Sequence, residues 1–279
     1  MTGLAVTDLC KSYPAAGGGR REVLKGVSLR IDKGECVGLI GESGSGKSTL
    51  IRCALGLEKP DSGRVDYEGS FVHEATGPDL LLFRREVQIV FQDPFASLNP
   101  RMTVEELVGE GLLVHRIEPS RARRRACVAE LLGRVGLEAD AMHRYPRAFS
   151  GGQRQRIAIA RALAVSPRIL VCDEPVSALD VSVQAQVINL LADMRSALGL
   201  GILFVAHDIG VVRYLCDSVL VLAEGRVVEE GPTETVFGDP QHDYTRALMA
   251  AAPVPDPAEA KARRALRRQQ REAARGSEP

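Results

Sequence analysis

The octapeptide Gly41-Glu42-Ser43-Gly44-Ser45-Gly46-Lys47-Ser48, followed by Thr49, fits the spacing GxxxxGK[ST]. Glycines at those positions let the backbone approach phosphate oxygens, and their N–H groups form an anion nest at a helix start. Lys47 brings a point charge to β- and γ-phosphates, and the Ser48 hydroxyl can ligate Mg²⁺. A flexible Gly/Ser turn has the same composition. It does not require the apolar strand that precedes this loop (residues 36–40), nor the apolar-periodic segment that follows (residues 50–55) and stops at Gly56. A second candidate lies at Ile169-Leu170-Val171-Cys172-Asp173-Glu174, an apolar strand ending in two acids. Open α/β sheets place ligand chemistry at that edge. Asp173 suits Mg²⁺ held through water, and Glu174 suits a general base acting on an attacking water.

Short β-rich runs alternating with helical patterns predict an α/β fold with a largely parallel sheet. The expected strands are residues 36–40, 87–91, 169–172, 202–206 and 218–222. Between Asn99 and Pro167 the pattern is helical without strands. There Thr103 with Glu106 predicts a capping box, and Ser120 predicts the cap of a helix that ends at Gly136. Val183, Val187, Leu190, Leu191, Met194 and Leu198 predict one apolar helix face after Asp180. The reading is an α/β core interrupted by an all-helical insertion.

Composition narrows the function classes. The 279 residues carry 36 Lys+Arg and 36 Asp+Glu, a formal net charge of zero, which argues against a generally basic nucleic-acid binder. Trp is absent and aromatics are 4%, too few for base-stacking platforms. No apolar run approaches the ~18–20 residues of a membrane span, and no signal peptide is read at the N-terminus. The six cysteines form no CxxC pair and read as structural thiols of a reducing compartment. Beyond Pro253 the chain is rich in Ala, Arg and Gln, either a solvated tail or a contact for anionic lipid head groups or a partner.

Further motifs narrow the family. Phe149-Ser150-Gly151-Gly152-Gln153 resembles the signature of the ATP-binding cassette (ABC) family. In order with it stand Tyr13, similar to the adenine-stacking aromatic; Gln92, similar to the Q-loop; Ser177-Ala178-Leu179-Asp180, similar to the D-loop; and His207, similar to the switch histidine. Taken singly, Tyr13 also suits a packed or surface aromatic, Gln92 a polar turn and His207 a satisfied strand-end histidine. The segment from Phe91 to Val104, and Asp243-Tyr244-Thr245-Arg246-Ala247-Leu248 with Ala252-Pro253-Val254-Pro255, resemble dipeptide/oligopeptide importer ATPases. Asp243 departs from that family's usual Pro, and Ala148 from its usual acidic residue.

The resemblance implies a P-loop NTPase (RecA-like) core over residues 1–98 and 168–237, a helical signature subdomain over 99–167, an importer-type C-terminal motif over 238–257 and a basic tail over 258–279. It implies ATP and Mg²⁺, with Gly41 to Thr49 on the phosphates, Ser48, Gln92 and Asp173 about the metal, and Lys47, Glu174 and His207 in catalysis. Ser150, Gly151, Gly152 and Gln153 are expected to close on nucleotide held by a second cassette, with Asp180 nearby. The implied partners are that cassette, transmembrane permease subunits and, indirectly, a substrate-binding protein, with no nucleic acid. The implied location is the cytoplasmic face of the plasma membrane. The expected function is to energise import of di- or oligopeptides; nickel or other small-solute import, or a soluble phosphonate-cleaving complex, are the alternatives.

Overall fold

The chain, seen in a computed structural model, is described for residues 3–15 and 18–251. In chain order it runs β1 (Gly3–Pro14), β2 (Arg20–Asp32), β3 (Cys36–Ile40), α1 (Lys47–Ala54), β4 (Ser62–Tyr67), β5 (Ser70–Phe71), α2 (Gly77–Glu86) and β6 (Val87–Val90). Four helices follow without an intervening strand: α3 (Pro94–Ser97), α4 (Val104–Val114), α5 (Arg121–Arg134) and α6 (Gly151–Leu163). Then come β7 (Ile169–Asp173), α7 (Val181–Leu198), β8 (Gly201–Val205), α8 (Ile209–Leu215), β9 (Ser218–Ala223), β10 (Arg226–Pro232), α9 (Thr233–Gly238) and α10 (Asp243–Ala251). The importer-like residues 252–257 and the basic stretch 258–279 lie outside the described residues.

A six-stranded sheet in the order β10-β9-β3-β8-β7-β6 positions the candidate site residues. Its strands are parallel except β10, which pairs antiparallel with β9. All five residues of β3 and of β8 are buried, as strands covered on both faces require. The five strands expected from the sequence are present with ends within a residue of expectation: the strand expected over 87–91 stops at Val90, and the one expected over 169–172 reaches Asp173. A second, antiparallel sheet, β2-β1-β4-β5, was not among those strands. Its strands alternate buried and exposed residues only irregularly, because β1 shifts register against β2 at three places and carries Asp8 at φ +48°. Such bulges break the period-2 signal.

Thr103 and Glu106 form the expected capping box at α4. Ser120 does precede α5, but its side chain makes no capping hydrogen bond. On α7, Val187 and Leu191 are buried; Leu198, the last residue of the helix before Gly199 in the left-handed conformation, is 40% exposed, so the expected apolar face stops short of it. Arg195 of α7 staples the sheet's lower edge. Its guanidinium donates to Gly34 O, Leu215 O and the Asp217 carboxylate, which also accepts from the Cys36 amide at 3.0 Å. This fixes the start of β3, and so where its other end delivers the loop beyond it.

Candidate functional site

The fully buried β3 runs straight into the Gly41–Gly46 loop, and α1 begins at Lys47. Gly46 has φ +112°, and a Cβ there would meet Val23 O at 2.9 Å, so only glycine fits this closing turn. Lys47 is buried, and its Nζ donates to Gly41 O at 2.7 Å and Glu42 O at 2.9 Å. An ammonium has three donors, so one remains for a phosphate oxygen. Burial lowers the Lys47 pKa, while the Glu174 and Asp173 carboxylates oppose the shift. Glu42, Ser43, Gly44 and Ser45 line one cavity of about 780 Å³. Ser48, Gln92 and Asp173 line another of about 390 Å³. A hydroxyl, a carboxamide and a carboxylate around one cavity are the hard oxygen donors that Mg²⁺ prefers, so the residues present fit this metal.

β7 ends at Asp173, and Glu174 follows with φ +46°, a conformation unusual for a residue with a Cβ. Its amide still donates to Val205 O at 3.1 Å, so the ladder is kept while the side chain turns out at the sheet edge. Glu174 Oε1 lies 2.6 Å from His207 Nε2, and Oε2 accepts from Gln92 Nε2 at 2.9 Å. Three residues far apart in the chain, from the ends of β6, β7 and β8, thus converge on one carboxylate. Asp173 has its pKa raised by burial and then by the Glu174 charge, with Lys47 opposing.

Tyr13 closes β1 and donates from its hydroxyl to Glu58 Oε2 at 2.7 Å, with Lys11 Nζ 5.4 Å from the ring centre. Burial and the Glu58 hydrogen bond raise the phenol pKa, and Thr49 of α1 acts against them. The aromatic thus stands beside the helix that follows the phosphate loop.

Ser150 caps α6: its Oγ accepts from the Gln153 amide at 3.3 Å, and Gln153 Oε1 accepts from the Ser150 amide at 3.1 Å. A Cβ on Gly152 would come within 2.2 Å of Val183 Cγ1, so α6 and α7 can pack this closely only through glycine. Gly151 faces Leu179 and Asp180 precedes α7, which places the signature beside the D-loop of the same chain. Neither cavity lined by the phosphate loop includes a signature residue. The structure therefore gathers Lys47, Ser48, Gln92, Asp173, Glu174 and His207 into one region and leaves Ser150 to Gln153 apart.

Three further residues join the site. Ser177 Oγ lies 3.3 Å from Gln92 Nε2, Glu58 holds Tyr13, and the Tyr244 hydroxyl accepts from the Glu42 amide at 2.9 Å. Ser177 and Tyr244 stand inside motifs legible in the sequence, although no role attached to them. Nothing in the sequence near Glu58 singles it out, because its partner Tyr13 is 45 residues away.

Comparison with known proteins agrees with this geometry. Residues 24–177 match the family model described as ABC transporter, and residues 228–278 match that of the oligopeptide/dipeptide transporter C-terminal region. The chain is 49% identical over 236 residues to the oligopeptide transport ATP-binding protein OppF of Streptococcus mutans, covering 85% of this chain and 77% of that protein. OppF of Bacillus subtilis is 48% identical over 83% of this chain and 76% of its own length. Among solved structures, the dimeric post-hydrolysis state of the ATP-binding cassette MJ0796 bound to ADP and Pi superposes with a TM-score of 0.75. It is 33% identical and is matched over 82% of this chain and 98% of its own. A strand-held phosphate loop, a carboxylate at the end of β7 and a glycine-bearing signature helix, together with these matches, place the chain in the ABC transporter family as an ATP-binding cassette.

Proposed function

We propose that this chain is the ATP-hydrolysing subunit of a peptide importer, working on the cytoplasmic face of the membrane with a second cassette and with permease subunits. The observation that carries the chemistry is the Glu174 carboxylate, held between His207 and Gln92 at the mouth of the phosphate loop. The peptide class is supported by the relatives named for oligopeptide transport and by the match to their C-terminal region. Among the described residues no helix is long and apolar enough to cross a membrane, so the membrane path is assigned to partner chains.

In this reading Lys47 and the loop amides neutralise the β- and γ-phosphates. Ser48, Gln92 and Asp173 would hold Mg²⁺, which would supply further charge neutralisation on the phosphate oxygens. Glu174 accepts a proton from the attacking water, its carboxylate oriented by Gln92 and His207. His207 also reaches the γ-phosphate side. Ser150 and the Gly151 and Gly152 amides, at the start of a 13-residue helix, form a second anion site that serves nucleotide on the partner cassette. The test is Glu174→Gln, which keeps size and hydrogen-bonding reach but removes the base. ATP turnover should fall by about 10²–10⁴-fold in a phosphate-release assay while ATP still binds. Turnover at the parent rate would remove Glu174 from the mechanism.

A further inference from the structure

The helix α10 belongs to the C-terminal region, yet it reaches the phosphate loop. Glu229 of β10 anchors its start: Oε1 accepts from the Gln241 amide at 2.9 Å and Oε2 from the His242 amide at 3.1 Å. The His242 ring in turn accepts from the Tyr244 amide at 3.1 Å, and the next residue, Thr245, is fully buried. So placed, the Tyr244 hydroxyl accepts the Glu42 N–H at 2.9 Å. That N–H and the Gly41 carbonyl belong to one planar peptide unit. The same Gly41 carbonyl accepts Lys47 Nζ at 2.7 Å. One rigid plane is therefore held at its N–H end by the C-terminal helix and at its C=O end by the phosphate-binding lysine. Rotating it breaks one bond or the other.

We propose that Tyr244 is a positioning residue for the phosphate loop: through the Gly41–Glu42 peptide it sets the carbonyl that orients Lys47, and it couples the C-terminal region to nucleotide affinity. The inference rests on Lys47 being the phosphate-binding lysine. Tyr244→Phe keeps the ring and its packing and removes only the acceptor. In the full-length chain, titrated calorimetrically with MgATP, the Kd should rise about two- to tenfold, the range one hydrogen bond controls. In steady-state hydrolysis KM should rise by a similar factor with kcat within twofold, and the Glu42 amide should exchange with solvent faster. The melting temperature should fall by no more than about 2–4 °C, what one hydrogen bond accounts for. Parental ATP affinity and Glu42 exchange would overturn the proposal, as would a weaker affinity accompanied by a larger fall in melting temperature, which is the mark of lost packing. Lys47→Ala run in parallel separates the two levels. If it still binds ATP, the reading of the lysine fails; if it does not and Tyr244→Phe is parental, the coupling alone fails.

Discussion

At the residue scale, the site concentrates charge in a buried corner. Asp173, Glu174 and Lys47 face one another with little water to screen them, and the consequence is a carboxyl whose pKa in the folded chain lies above its ordinary 3.8. A raised carboxylate pKa means that the folded state holds a proton which the unfolded state releases. The stability this contributes is present at low pH and is lost as pH rises from 3.8 through the folded value. At neutral pH Asp173 is therefore a net cost to the nucleotide-free chain, a price accepted for function. Asp173→Asn should raise the melting temperature at pH 7, the gain shrinking as pH approaches 4, while ATP hydrolysis is lost. A variant that melts at or below the parent temperature at pH 7 would mean that attraction to Lys47 outweighs the burial.

At the scale of elements, the proposed function asks for a close approach of α6 to α7. Gly152 sits where a Cβ would stand 2.2 Å from Val183 Cγ1, far inside van der Waals contact. Gly152→Ala must push the signature helix away from the helix that follows the D-loop, and overpacking of this kind typically costs about 1–3 kcal/mol. Thermal unfolding should report that loss, and Val183→Ala in the same chain should restore most of it, because it deletes the opposing methyl. Additive losses in the double variant would place the strain elsewhere. Shorter elements matter as well. The buried face of β3 allows no drift in register, and the Arg195 hydrogen bonds to Gly34, Leu215 and Asp217 hold the strand's start, so the loop at its far end is presented in one place.

At the scale of the molecule, the described chain carries two helix starts that the proposed function assigns to anions, at Lys47 and at Gly151, and neither cavity beside the first is lined by a residue of the second. A second cassette is the simplest way to bring a loop and a signature together, and the matched MJ0796 structures are dimeric. Two exposed apolar side chains mark this part of the surface: Phe95 is 62% exposed, and Leu57, which lines a cavity together with Phe91, Ala96 and Ser97, is 63% exposed. The Arg154 guanidinium lies 3.8 Å from the Phe95 ring centre, which ties this patch to the signature helix. A permease helix seated there would feel movement of both. Cysteine placed at Phe95 or Ser97 should crosslink to a membrane subunit in the assembled transporter. Capture of soluble proteins alone would favour a cassette of a soluble complex.

The sequence by itself determined much of what local pattern carries, although Ser120 precedes its helix without capping it. Glycines and Lys47 at fixed offsets, an apolar strand ending in Asp173-Glu174, and the Thr103 and Glu106 capping pair are each legible within a dozen residues, because their chemistry is set by backbone geometry nearby. Residues 36–40 read as a strand for the same reason: a strand buried on both faces is apolar throughout. The antiparallel sheet was not legible, since bulged and half-exposed strands lose the alternation that marks them. Tertiary structure alone decided which distant residues meet. Gln92, Glu174 and His207 come together only because parallel pairing sets β6, β7 and β8 side by side with their C-terminal ends aligned. Glu58 reaches Tyr13, and Tyr244 reaches Glu42 across 202 positions of the chain, through contacts that no spacing in the sequence encodes.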